Sequence, residues 1–284
     1  MQVITYHVEI ISRSKGRSAV QMAAYCAREK LYNAYNGRVY NTPQKDDLVH
    51  SKIMLPHHAP RDFFDRETLW NAVELIEKNI NSRLARSLYF SLPKELHIDA
   101  HIGMTEDYVQ DYFVNRGMCA DVFIHDKGDG NPHVHTLLTT RSLGENGEWL
   151  SKQRRHYLLN QDGTRIRDSA TRQYMLGRSI RTNNWDDHEN IEIWRKGWAD
   201  ACNIELEREG LEKRVTHISY ARQGLDIEPT KHNGRRVMEL ERRGIPTDRG
   251  NENRAIEARN KEREERKHRR RLQLEQDREF ELSR

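Results

Sequence analysis

The alternation of apolar and polar positions predicts the first elements directly. Residues 2–12 (QVITYHVEIIS) alternate and are rich in β-branched side chains, which reads as a strand. Ser18, with Gln21 three residues later, is a helix start of the capping-box type, and the helix is expected to run to about Leu31. Residues 33–50 are polar and loop-like, with a turn at Asn36-Gly37. Leu69, Val73, Ile76, Ile80 and Leu84 recur at helical spacing, predicting a helix over 66–86. SLYFSLP (87–93) reads as a strand stopped by proline, and Thr105 as the cap of a helix reaching about Arg116. ADVFIHD (120–126) and HVHTLLTT (133–140) are β-rich runs on either side of a connector dense in turn formers, so a hairpin is expected. Residues 142–188 are polar and turn-rich, with a second hairpin expected around Asp162-Gly163. Ile191, Trp194, Trp198 and Cys202 mark an amphipathic helix over 189–209 that ends at Gly210.

These elements predict an α+β fold: a central, mainly antiparallel sheet with helices packed on one face and the two histidine-bearing strands as neighbours at its middle. Too few regular βαβ units are present for a doubly wound sheet. From about residue 251 the chain is almost entirely charged and lacks sustained heptads, so it reads as a solvated helix or a disordered arm. The expected organisation is a domain over 1–250 and a charged tail over 251–284.

Composition narrows the class. No apolar run approaches the length of a membrane span, and the N-terminus lacks the pattern of a signal peptide. Three scattered cysteines (Cys26, Cys119, Cys202) argue against a disulfide scaffold or a cysteine zinc site, so a cytoplasmic location is expected. Net charge is only +4, but it is unevenly spread. From Arg13 to Lys45 there are seven Lys/Arg against one acid, and from Arg141 to Arg181 nine against four. Basic segments apart in sequence can meet as one cationic face for a phosphate partner, although a solvated surface of mixed charge gives the same composition. Arg13, Lys15, Arg17 and Arg28 are candidate contacts to a nucleic-acid backbone, and Tyr157, Tyr174 and Trp185 are candidate stacking platforms.

The most legible chemistry is histidine. On a strand His133 and His135 face the same side, and the turn folds His125 back toward them. Three neutral imidazoles converging from one hairpin make a metal site with open positions, suited to zinc, manganese, nickel or iron and able to polarise a phosphoryl oxygen. An HxH pair alone arises often by chance; the third histidine favours a metal. No cysteine lies nearby to close a structural zinc site. Tyr25 is the second candidate. Val20, Ala24, Ala27 and Leu31 form one helical stripe, and Tyr25 lies about 140° from Val20, with Gln21, Arg28 and Tyr32 on its side. Spacing leaves two readings, a rim tyrosine or a nucleophile whose phenolate a neighbouring cation stabilises.

At these residues the sequence resembles the MobA/MobL family of plasmid mobilisation relaxases, the MobQ type of HUH endonuclease. IISRSKGRSAVQMAAY (10–25) resembles the family's first motif, LWNAVELIEK (69–78) and LPKEL (92–96) its second region, and GNPHVH (130–135) with His125 its histidine motif. Residues 198–234 resemble its closing segment, and the likeness spans roughly 4–255. The resemblance implies an HUH relaxase-like fold and strand-specific nicking and rejoining of DNA at a plasmid transfer origin. Tyr25 would be the nucleophile, forming a 5′-phosphotyrosine, and His125, His133 and His135 the metal ligands. It implies a divalent metal, magnesium or manganese first, with zinc and nickel open. The implied partners are single-stranded DNA at the transfer origin, accessory relaxosome proteins and a type IV secretion coupling protein. Two positions depart from the family pattern. Ser87 stands where an acidic residue is usual, leaving that role vacant or to Glu74, Glu77 or Asp126, and Cys26 stands where a polar or basic residue is expected. The chain ends soon after the closing segment, so it reads as a short member or a fragment. Alternatives are a rolling-circle replication initiator with the same chemistry, a metal-dependent hydrolase that forms no adduct, and a non-catalytic nucleic-acid-binding protein with a structural metal.

Overall fold

In the computed structural model, residues 1–282 apart from 44 and 232 are described. The elements in chain order are β1 (Gln2–Val3), β2 (Tyr6–Ser12), α1 (Ala19–Ala27), β3 (Leu31–Asn33), β4 (Arg38–Tyr40), β5 (Leu48–Met54), α2 (Arg66–Ile76), β6 (Arg83–Ser91) and α3 (Ile98–Tyr112). They continue with β7 (Ala120–His125), β8 (His133–Thr139), β9 (Gln153–Arg154), β10 (Ile180–Arg181), α4 (Glu189–Arg208), β11 (Val215–Thr216), α5 (Gly234–Arg242) and α6 (Asp248–Leu282). The chain forms two compact units, Met1–His217 and Ile218–Arg284. The charged run from 251 belongs to the second, where α6 is a helix whose start is tied down locally. Arg259 pairs with Glu228, and Asn253 bonds both backbone groups of Lys231. Among the described residues no helix is long and apolar enough to cross a membrane.

The first unit is built on a five-stranded antiparallel sheet in the order β2-β6-β8-β7-β5. The histidine strands β7 and β8 are neighbours, and β8 is the central strand, as expected. The α+β class and the antiparallel sheet hold; the expectation of helices on one face does not. Alternation gives the sheet two apolar faces. Leu88, Phe90, Val122, Ile124, Val134 and Leu138 pack with α3 and α4 through Tyr108, Val109, Trp194 and Trp198. Ile11, Phe123 and Leu137 pack on the other side with α1 and α2. β7 is buried along its whole length, as a strand covered on both faces requires, whereas β2 at the sheet edge alternates.

Helix ends depart from the sequence expectations for identifiable reasons. α1 starts as predicted, with Ser18 Oγ accepting from the Gln21 amide at 3.1 Å, but it ends at Ala27 because Arg28 adopts a left-handed conformation (φ 58°). Leu31 and Tyr32 lie instead on β3, in a hairpin with β4. α2 stops at Ile76, and Leu84 is a buried strand residue. The guanidinium of Arg13 caps that helix end, donating to the carbonyls of Glu74 (2.8 Å) and Glu77. α3 begins seven residues before Thr105, which is buried within it. β5 and α5 were not foreseen: β5 is an edge strand in which only Ile53 and Met54 are buried, and α5 is a short helix whose described residues are half-buried or exposed. The hairpin around Asp162-Gly163 is present, with Leu159 bridging Arg165 and the Asp162 carboxylate accepting from Thr164.

Candidate functional site

His125, His133 and His135 sit on the α1/α2 side of the sheet, at the end where β7 turns into β8. The register pairs His125 with His133, and the three ring nitrogens lie within 4.8 Å of one another. The turn between them is shaped by Asp126 and Asp129, whose carboxylates accept from the amides of Gly128 and Asn131. Ring-centroid separations are 5.2–5.6 Å. Tyr89 on β6 covers the pair from the neighbouring strand, its ring 5.1 Å from His133 and 5.2 Å from His135.

The donor set fits a metal ion. A backbone carbonyl only accepts, so each hydrogen bond from a histidine to one fixes the protonated nitrogen. His125 donates from Nε2 to the Cys26 carbonyl (2.8 Å), which leaves the Nδ1 lone pair as the one a metal would take, in exchange for the Arg28 Nη2 contact at 3.3 Å. His133 donates from Nδ1 to the Asn131 carbonyl (2.9 Å), which leaves Nε2. Such second bonds orient ligating imidazoles and raise their basicity. Burial pushes the pKa of His135 down to about 3 and of His125 to about 4, against an ordinary value near 6.5, so both are neutral and able to ligate at pH 7. Among the described residues this is the group of side chains that could hold a metal ion.

α1 reaches the cluster with its C-terminal end. Tyr25 is 38% exposed, on the side of the helix that the core leaves free, while Ala23, Ala24, Cys26 and Ala27 are buried. Its ring lines a pocket with Arg17, Ser18, Gln21 and Met22. The Arg28 guanidinium lies 4.8 Å from the Tyr25 ring centroid and, through Nη2, 3.3 Å from His125 Nδ1. One buried side chain thus touches both the tyrosine and the metal-site histidine, about 100 residues apart in sequence. Tyr32 is exposed on β3 and does not share a helix with Tyr25.

The other predicted residues divide. Arg13 and Arg28 are buried in ion pairs with Glu74 and Asp47, so neither is a free cation for a nucleic-acid backbone. Lys15 is exposed, and Arg17 pairs with Glu9 at the rim of the Tyr25 pocket. Glu74 does not join the histidines. Its carboxylate anchors the start of α1, accepting from Ser18 Oγ (2.7 Å), the Ala19 amide (2.8 Å) and Arg13 (3.2 Å). Glu77 is engaged by Arg141 (3.0 Å) and Lys152 (2.8 Å). Asp126 is next to His125, but its carboxylate is used in the turn. Ser87, where the resemblance led an acidic residue to be expected, pairs in register with Glu9 and Leu137 on the neighbouring strands. Of the stacking candidates, Tyr157 and Tyr174 lie on the arm over 142–182, with Arg165 and Arg167 against their rings. Trp185 is buried in the α3/α4 core and is not a stacking platform. Sequence reasoning missed Tyr89 and Asp47. Tyr89 had a signal, since its strand parity matches that of the histidines. Asp47, in a polar loop, had none.

The model of the MobA/MobL family matches residues 17–243. "Probable mobilization protein MobA" of Bifidobacterium longum (strain NCC 2705) is 30% identical over 267 residues, covering 88% of this chain and 47% of that protein. "Conjugal transfer protein TraA" of Agrobacterium fabrum (strain C58 / ATCC 33970) is 32% identical over 244 residues, covering 82% of this chain and 21% of that protein. The chain therefore spans about half or less of the length of these relatives. A solved structure described as "Molecular Basis of Vancomycin Resistance Transfer in Staphylococcus aureus" superposes with a TM-score of 0.64 at 28% identity, covering 77% of this chain and all of that one.

Proposed function

Because the chain belongs to the MobA/MobL family, we propose that it is a relaxase: it nicks and rejoins one strand of DNA at a plasmid transfer origin and so initiates conjugative mobilisation. The observation that carries this reading is the juxtaposition of an exposed tyrosine with a three-histidine metal cluster through one guanidinium. A nucleic-acid-binding protein with a structural metal has no use for an accessible phenol there. The Tyr25 oxygen forms a bond to phosphorus as the P–O3′ bond breaks. The phenol gives up its proton, and the departing 3′ oxygen takes one up. The result is a 5′-phosphotyrosine and a free 3′-hydroxyl, and attack by a 3′-hydroxyl in the reverse direction reseals the strand. His125, His133 and His135 hold a divalent ion, magnesium or manganese first and zinc or nickel as alternatives. When bound, it supplies Lewis-acid stabilisation of the charge developing on the phosphoryl oxygens. Tyr89 holds the faces of His133 and His135, while the Asn131 and Cys26 carbonyls fix the tautomers of His133 and His125.

The nicking domain is residues 1–250. Arg17 lines the Tyr25 pocket and, with the exposed Lys15 two residues before it, neutralises the strand backbone, and the arm with Tyr157 and Tyr174 provides stacking and charge. Single-stranded origin DNA is the substrate. Accessory relaxosome proteins and a type IV secretion coupling protein are the partners, in the cytoplasm. The test is to incubate the protein with Mn2+ and single-stranded DNA covering the transfer origin of its own replicon, then run a denaturing gel. A protein–DNA adduct that Tyr25→Phe abolishes supports the reading. Cleavage without any adduct, or an adduct that survives Tyr25→Phe, refutes it.

A further inference from the structure

Arg28 occupies an unusual position. It is the C-cap of α1 in a left-handed backbone conformation (φ 58°) that glycine takes without strain. A large side chain at such a place needs a compensating set of contacts. Arg28 has four. Nε and Nη2 grip the Asp47 carboxylate at 2.9 and 3.1 Å, Nη1 donates to the Tyr25 carbonyl, and Nη2 also lies 3.3 Å from His125 Nδ1. The guanidinium carbon stands 4.8 Å from the Tyr25 ring centroid. Asp47 is itself held: it is 3% exposed, and its carbonyl accepts from the Asp126 amide (2.8 Å), one residue past His125. The fork therefore ties the last turn of α1 to the end of β7 with one rigid group.

We infer that Arg28 is a positioning residue of this centre, its guanidinium clamping the Tyr25 end of α1 to the His125 end of β7 through Asp47, the fixed anchor that also accepts from the Asp126 amide. The inference rests on the relaxase reading above. The competing account is a structural ion pair, in which Arg28 matters only because Asp47 would otherwise be buried uncompensated. The two accounts separate on a paired substitution. Arg28→Gly suits the left-handed backbone, and Asp47→Asn removes the charge that would be stranded, so the double variant keeps the fold while deleting the clamp.

The measurements are Mn2+ affinity by titration calorimetry, and the single-turnover rate of adduct formation on the replicon's single-stranded origin DNA as a function of DNA concentration. For the double variant, Mn2+ affinity and the half-saturating DNA concentration should stay within about threefold of the unaltered protein. The rate at saturating DNA should fall about a hundredfold, the cost of displacing a reacting group by about an ångström. A saturating rate within threefold of normal overturns the inference. So does a loss of Mn2+ affinity greater than tenfold, because Arg28 would then act by propping the metal site rather than Tyr25. If the double variant does not fold, Arg28→Lys tests the clamp on its own. Lysine keeps the charge beside Asp47 but is a single donor point and cannot make the fork, so a drop of about tenfold or more is expected and a normal rate overturns the clamp. Failure of the unaltered protein to form any adduct is a different result: it sinks the relaxase reading, not the role of Arg28.

Discussion

Replacing Glu74 by Ala separates a structural carboxylate from a catalytic one. Sequence reasoning offered Glu74 as a metal-supporting or acid/base group, but in the structure it is 2% exposed and its oxygens serve Ser18, Ala19 and Arg13 at the start of α1. Removing it leaves the Ala19 amide and the Ser18 hydroxyl without their acceptor and the buried Arg13 without its counter-ion. Breaking a buried ion pair from one side costs about 3–5 kcal/mol. Arg13 keeps its bonds to the Glu74 and Glu77 carbonyls, so the loss belongs at the lower end, about 3 kcal/mol. In a unit of this size each kcal/mol moves Tm by about 2–4 °C, so a drop of about 6–12 °C follows. The assay is thermal unfolding by circular dichroism, with Mn2+ calorimetry and adduct formation at 20 °C on the protein that remains folded. The expected pattern is a large loss of Tm with Mn2+ affinity and adduct rate, per folded molecule, within threefold. A Tm within 2 °C of normal combined with a hundredfold loss of rate would refute this account and return Glu74 to the chemistry.

Tyr25→Phe keeps the ring against Arg28 and should abolish adduct formation while DNA affinity changes less than threefold by fluorescence anisotropy. Tyr32→Phe, on a different element, should form adduct at the normal rate; the reverse pattern would move the nucleophile to β3. Substituting any one of His125, His133 or His135 with Ala should lower Mn2+ affinity and nicking together, and full nicking in excess chelator would count against the metal. His101 is buried with Nε2 donating to the Pro93 carbonyl at 2.8 Å, and burial lowers its pKa despite Asp126 nearby, with His97 lowering it further. Below the ordinary histidine value near 6.5 the unfolded chain takes up the proton first, so stability should fall as pH drops from 7 toward 5. His101→Asn should flatten that slope in urea titrations, and an unchanged slope would show that other groups set it. Deleting residues 265–284 leaves the contacts of Arg254, Arg259 and Asn260 intact. It should preserve nicking and weaken DNA binding mainly at low salt; a loss of nicking independent of salt would contradict this.

The hairpin carrying His125, His133 and His135 was legible because its signals are local: a period of two, a turn-rich connector, and a fixed parity that puts three imidazoles on one side. The antiparallel sheet followed from the same pattern. What failed were features set by partners distant in sequence. The apolar spacing through Ile80 and Leu84 continued the helical pattern of α2, yet the chain leaves the helix at Glu77, where Arg13 takes the free carbonyls, and Leu84 enters the sheet. Thr105 offered a cap in a stretch whose neighbours already pack as helix on both sides. The basic residues were read as one population, but Arg13 and Arg28 are spent on buried acids while Lys15 remains free to act. No local pattern distinguishes these cases, because the deciding carboxylates, Glu74 and Asp47, lie 61 and 19 residues away.

The premature end of α1 shows how much of the site depends on one such departure. Had the helix run to Leu31, the carbonyls of Ala24, Tyr25 and Cys26 would have been taken by the amides of residues 28–30. With Arg28 left-handed, the last turn keeps orphan acceptors that must find donors elsewhere. Ala24 is satisfied by the amides of Arg28 and Glu29. Tyr25 is satisfied by the Arg28 guanidinium, and Cys26 by His125 Nε2. The acceptor at Cys26 is what sets the tautomer of His125 and leaves its Nδ1 unprotonated, and the acceptor at Tyr25 is what draws Arg28 over the phenol ring. A helix four residues longer would have had better internal hydrogen bonding and would have left the histidine unoriented. The Cys26 side chain takes no part in this, since the backbone there does the orienting while the thiol is buried. The shortened helix and the three-histidine strand pair are thus one device, and the αL residue at position 28 is where they are joined.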